Sequence, residues 1–149
     1  MKKNNIKNLR KKYGWSRAEF CRLFCIPIRT VENWDNENHT AYPNSWTENL
    51  IINAMIDMYR KQIFYKVKKN IFDKEMTFYQ LDNEMENLGF DSVSNEFDEL
   101  VLDSGSVSYL LEERENGCHD YVDISFDIVN DDVDDIGDAI LKIKDIDII

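Results

Sequence analysis

The sequence predicts two small modules: an all-α domain over residues 1–69 and an α+β domain over residues 70–149, the latter with two helices on a three-stranded antiparallel sheet. Three observations predict this. Apolar residues recur at helical spacing through the first half, and the period changes to two only at Val107. Hydrophobic residues make up 43% of the 149, while Gly and Pro number only 5 and 2, so there is material for packed cores and little for disorder. The charge is split along the chain: residues 1–69 hold 14 of the 18 Lys+Arg and 6 of the 29 Asp+Glu, net +8. Residues 70–149 hold 4 and 23, net −19.

The first helix runs from Ile6 to about Tyr13, with Ile6, Leu9 and Tyr13 on one stripe, and ends at Gly14. Ser16 with Glu19 three residues on forms a capping-box pattern, opening a second helix from Arg17 to about Phe24 that carries Phe20, Cys21 and Phe24 inward. Cys25-Ile26-Pro27 is a turn, and Pro27 suits the start of a third helix, Ile28 to Asp35, because its missing N–H would lack a partner there. Residues 36–44 are a polar loop. Ser45 with Glu48 repeats the capping pattern, predicting a fourth helix from Trp46 to Val67, with Leu50, Ile51, Ala54, Met55, Met58 and Tyr59 in phase.

In the acidic half, Thr77 with Gln80 caps a helix carrying Phe78, Leu81, Met85 and Leu88, stopped by Gly89. A second helix spans Asn95 to Leu102. Val107, Tyr109 and Leu111 then alternate, and Glu115-Asn116-Gly117 signals a hairpin turn. In Tyr121 to Val129, Val122, Ile124, Phe126 and Ile128 face one way, with Asp123, Ser125 and Asp127 the other. After an acidic connection over 130–138, Ala139 to Ile146 makes a third strand.

No apolar run approaches the ~18 residues needed to span a bilayer. Asn4-Asn5-Ile6-Lys7-Asn8 follows the basic start where a signal peptide requires an apolar stretch, so the cytoplasm is the expected compartment. Three cysteines in such a chain point to thiols and not to a disulfide frame.

On the third helix Val31 and Trp34 share the core side, and at 100° per residue Arg29, Glu32, Asn33 and Asn36 gather on the opposite face. These are side chains that read a major groove: Arg grips guanine, Asn adenine, and Glu accepts from cytosine. Leu9-Arg10-Lys11-Lys12, Gly14-Trp15-Ser16-Arg17, Glu19-Phe20-Cys21 and Ile26 through Trp34 together resemble the helix-turn-helix of the Cro and phage-repressor (XRE-like) superfamily over the first 60 residues. The resemblance implies that the second helix crosses the DNA backbone while the third lies in the groove of a palindromic operator, bound by a homodimer. Arg17, Ile28, Arg29, Thr30, Glu32, Asn33 and Asn36 are then the DNA-binding residues. Two positions depart from that pattern: Cys25 and Glu37 stand where relatives carry Gly.

Other constellations point to no chemistry. Cys21 and Cys25 lack the partners of a zinc site, Cys118-His119 lacks an orienting group for a nucleophile, and His39 is a loop residue. Placing Gly137 at the EF-hand glycine position leaves Ile136 and Ile143 where oxygen ligands belong. No phosphate-cradling glycine loop exists, so neither enzyme activity, metal nor cofactor is expected. For the acidic half, Asp82, Glu84, Glu86, Glu96, Asp98 and Glu99 on helices, with Asp123 and Asp127 on a strand, form a candidate face for a basic nucleic-acid-binding protein. The layout is similar to that of phage anti-CRISPR proteins, in which a helix-turn-helix repressor domain precedes an acidic, DNA-mimicking inhibitor of a CRISPR effector nuclease. An alternative expectation is a simple dimeric regulator whose second half oligomerises or damps DNA binding.

Overall fold

A computed structural model describes residues 3–113 and 117–149 of the chain, which divides into two compact units, 1–60 and 61–149. Among the described residues it is a mixed α/β protein with six α-helices and one four-stranded antiparallel sheet. None of these helices is long and apolar enough to cross a membrane.

The first unit holds α1 (Asn5–Lys12), α2 (Arg17–Phe24), α3 (Ile28–Asp35) and the start of α4 (Ser45–Ile71). Each begins where a side chain or backbone oxygen takes up orphan N–H groups. Asn4 accepts from Lys7 N, and Ser16 accepts from Glu19 N at 3.0 Å. The cap of α4 is Asn44 and not Ser45: Asn44 Oδ1 accepts from Thr47 N at 2.9 Å, because Ser45 is already helical. Glu48 accepts instead from Asn5 Nδ2 at 3.1 Å, which ties α4 to α1. Ile6, Tyr13, Trp15, Phe20, Val31 and Met55 form the buried core, and Tyr13 stacks on Tyr59 with ring centroids 4.0 Å apart.

The second unit adds β1 (Glu75–Thr77), α5 (Phe78–Asn87), α6 (Glu99–Ser104), β2 (Ser106–Glu113), β3 (His119–Asn130) and β4 (Ile140–Ile148). Single 3₁₀ turns lie at Ser94–Glu96 and Ile136–Asp138. The sheet order is β1-β4-β3-β2, so there are four strands where three were expected. The extra one, β1, is three residues long, too short for a period of two to show, and it pairs with β4 through Met76 opposite Leu141. Helix α4 runs four residues past Val67 because Val67 and Ile71 are both fully buried in the second core, with Phe78, Leu81, Met85, Tyr109, Ile124 and Leu141. The helix expected from Asn95 splits into a 3₁₀ turn and α6, since Asp98 turns extended and accepts from Val101 N to start a new helix. Of the expected hairpin turn, Glu115 and Asn116 lie outside the described residues; Gly117 has φ +81°, the left-handed region that glycine tolerates.

Candidate nucleic-acid interface

Helices α2 and α3 are joined by three residues. Cys25 closes α2 at φ 54°, ψ 40°, and Ile26 N donates to Cys21 O at 3.1 Å. A side chain at Cys25 is therefore held in the left-handed region, as its position in place of glycine implied. Pro27 is the residue just before α3, and its carbonyl accepts from Thr30 N at 3.0 Å.

The inward side of α3 is Val31, 2% exposed, and half-buried Trp34, whose ring meets Tyr42 edge-on. The outward side carries Arg29, Glu32 and Asn36, all exposed, with Ile28 half exposed at the tip. Thr30 and Asn33 are half-buried at the flanks. The side chain of Asn36 is turned into the following loop, its Oδ1 accepting from Asn38 N at 3.0 Å. In that loop the His39 ring also has a local role, accepting from Ala41 N. Tyr42 is pushed up to about 12 by burial and by its hydrogen bond to Glu48.

An ion triad locks α1, α2 and α3 together. Asp35, at the last position of α3, has a side chain only 6% exposed, and its Oδ2 accepts from Arg10 Nη2 at 3.2 Å and Arg17 Nε at 3.0 Å. Arg10 is buried as well and donates through Nη1 to Trp15 O. The Arg17 side chain stays 43% exposed. Its orientation is set by Asp35, while its terminal nitrogens still offer donors at the surface. Sequence reading missed Asp35 and Arg10 because each looks like an ordinary surface charge on an amphipathic helix. The signal was there in part: position 35 follows Trp34 on the side that turns toward α1.

The acidic residues do not form one face. Asp82 is 5% exposed and belongs to the core: its carboxylate accepts from Tyr109 Oη and Val93 N, each at 3.0 Å, and from Ser92 Oγ. Its assignment to a partner-binding surface is thus corrected. The helical period placed it beside Leu81 and Met85, and only the positions of Ser92, Val93 and Tyr109 explain why a carboxylate is tolerated there. Burial and this carboxylate together push the Tyr109 phenol up. Asp98 is the cap of α6. Glu86, Glu96 and Glu99 are exposed and Glu84 half-buried, on the helical layer. Asp123 and Asp127 alternate with buried Val122, Ile124 and Phe126, so they lie on the sheet face turned away from α5. Asp123 accepts from Ser108 Oγ at 2.9 Å, and Asp127 pairs with Lys144 at 3.5 Å. Register sets Asp147 opposite Asp123 and Asp145 opposite Ser125, adding two exposed carboxylates to that face. Asp147 lies past Ile146, where the expected third strand ended, and Asp145 is turned outward by the register shift between Ser125 and Phe126, where strict alternation from Leu141 and Ile143 would turn it inward.

The acidic connection is anchored to α5. Tyr79 Oη donates to Asp135 Oδ2 at 2.7 Å, and Gly137 lies under the Tyr79 ring. That bond holds the Tyr79 phenol above its ordinary value and the Asp135 carboxyl below its own. Among the described residues no group of three or more His, Cys, Asp or Glu is placed to hold a metal ion, and none of the three cysteines is in a disulfide. Cys118 and His119 are exposed at the start of β3. Comparison with protein-family models, curated proteins and solved structures found no match to this chain.

Proposed function

We propose that this chain is a sequence-specific DNA-binding protein of the Cro and phage-repressor (XRE-like) helix-turn-helix type, acting as a dimeric, non-enzymatic autorepressor of a mobile element in the cytoplasm. The observation that carries the reading is the α2–turn–α3 arrangement. The left-handed residue at Cys25 lets α3 present Arg29 and Glu32 on the side away from Val31 and Trp34, with half-buried Asn33 at its flank. A helix of this length fits a major groove, where Arg29 would grip guanine O6 and N7 and Asn33 adenine. Arg17, fixed by Asp35 at the first turn of α2, would place a guanidinium and a helix N-terminus against a phosphate.

For the acidic half we propose docking on a basic, nucleic-acid-handling host protein, such as a CRISPR effector nuclease, with inhibition as its consequence. Support comes from the net charge of −19 over residues 70–149 and from the open sheet face bearing Asp123, Asp127, Asp145 and Asp147. Such a field speeds capture of a basic target and weakens with salt.

The test is fluorescence anisotropy of duplex DNA from the gene's own upstream region, titrated with the full chain against a scrambled duplex. Tight, salt-steep binding that prefers the upstream duplex is expected. Arg29→Ala with Asn33→Ala should cut the preference by about tenfold or more while leaving helical circular dichroism unchanged, since each good base contact discriminates by roughly 1–3 kcal/mol. Retained preference in that variant removes α3 as the reading helix.

A further inference from the structure

Three lysines that mean little in the sequence are brought to one place. Lys3, just ahead of α1, and Lys7 and Lys11 within it are spaced four residues apart and line a single hollow of about 330 Å³, shared with Asp35 at the end of α3 and with Glu37. No ion pair is made by any of the three among the described residues. Asp35 is already shared between Arg10 and Arg17, so Glu37 is the remaining carboxylate in the hollow. Lys7 and Lys11, four apart on the helix, repel, and Lys3 stands near the positive end of the α1 dipole. Both effects cost the free protein stability, with no ion pair of the three to offset them among the described residues. A polyanion laid along the row reverses both effects.

We infer that Lys3, Lys7 and Lys11 form a phosphate-gripping row on the DNA backbone that flanks the groove entered by α3. The inference rests on the DNA-binding reading and extends it to α1. Position supports it: Asn4 Nδ2 donates to Trp34 O at 2.9 Å, pinning the start of α1 to the last turn of α3. Arg10 and Arg17 converge on Asp35 beside the same hollow. Lys7 and Lys11 lie one helical turn apart, ~6 Å along the α1 axis, with Lys3 just ahead of the cap residue Asn4. Phosphate contacts of this kind set affinity and orientation and carry no sequence information.

The experiment compares the full chain with its Lys3→Gln, Lys7→Gln, Lys11→Gln triple variant on the upstream and scrambled duplexes across a salt series. Affinity should fall about tenfold or more on both duplexes by the same factor, and the slope of log K against log salt should lessen by roughly 0.9 per lost phosphate contact. The ratio of the two affinities should not change. The Lys→Arg triple variant should restore the slope, which separates lost charge from a misfolded α1. An unchanged slope and affinity in the Gln variant overturns the row while the DNA-binding reading stands. A loss of preference without a change of slope also overturns it, since α1 would then act only through α3. If the unaltered chain binds neither duplex, the DNA-binding reading fails and the row with it.

Discussion

Among the described residues of the first unit, Cys25 is the one non-glycine residue with a positive φ. It is exposed and sits at φ 54°, where a Cβ crowds the carbonyl that follows. Cys25→Gly removes that crowding and loses no buried contact, though glycine also loosens the unfolded chain. The expected outcome is a gain of about 0.5–1 kcal/mol, read as a higher denaturant midpoint with unchanged slope. A loss of stability would show that the thiol makes a contact that matters. Asp35 and Asp82 make the opposite point about charge. Both are buried, and both are satisfied by partners distant in sequence, Arg10 and Arg17 for one, Tyr109 and Ser92 for the other. Helical spacing located these positions; their partners had to be supplied by the fold.

At the scale of elements, the acidic connection between β3 and β4 is held as firmly as its composition suggests it should be loose. A Cβ built at Gly137 would come within 2.2 Å of Tyr79 Cζ, so the ring and the 3₁₀ turn cannot both stay in place once a side chain is present. Gly137→Ala should cost about 1–3 kcal/mol, the usual range for overpacking. With Tyr79→Ala present the same substitution should cost much less, because the atoms it meets are gone, and a double-mutant cycle measures that difference. Additive effects in the cycle would place the strain elsewhere. The other elements illustrate which sequence signals survive folding. Thr77 and Gln80 form the reciprocal capping box that their spacing implied. The pattern at Ser45 and Glu48 was a decoy, since Asn44 also caps well and Glu48 finds Asn5. Strand β1 left no legible trace, as three residues hold too few alternations to define a face.

Across the whole molecule, three phenols tie stability to alkaline pH. Tyr42 is raised to about 12 by burial and its hydrogen bond to Glu48; Tyr109 is raised by burial and by Asp82; Tyr79 is raised by its bond to Asp135. In the unfolded chain a tyrosine releases its proton near ~10. Above that pH the folded state binds more protons than the unfolded state, so unfolding is favoured as pH rises. Stability from these groups is therefore complete below pH ~10 and should decline through the interval toward 12. Denaturant unfolding repeated at stepped alkaline pH checks this, and a flat profile would mean the phenols are more open to water than their burial indicates. Asp135 works at the other limit: its lowered carboxyl contributes above its unfolded value near ~3.9 and is lost as pH falls through the folded one.

The amino-acid order by itself determined the helices α1, α2, α3 and α5, the alternation along β3, the division of charge between the two halves, and the outward set on α3. These rest on interactions within a few residues: caps, periodicity and the turn at Cys25. The tertiary structure alone decided the fourth strand, the extension of α4 to Ile71, the burial of Asp82, the triad on Asp35 and the placing of Asp35 and Glu37 in one hollow with the lysines of the N-terminal segment. Each of these depends on a partner far along the chain. The partner of a charge or an edge strand is chosen by packing, and local spacing holds no record of that choice.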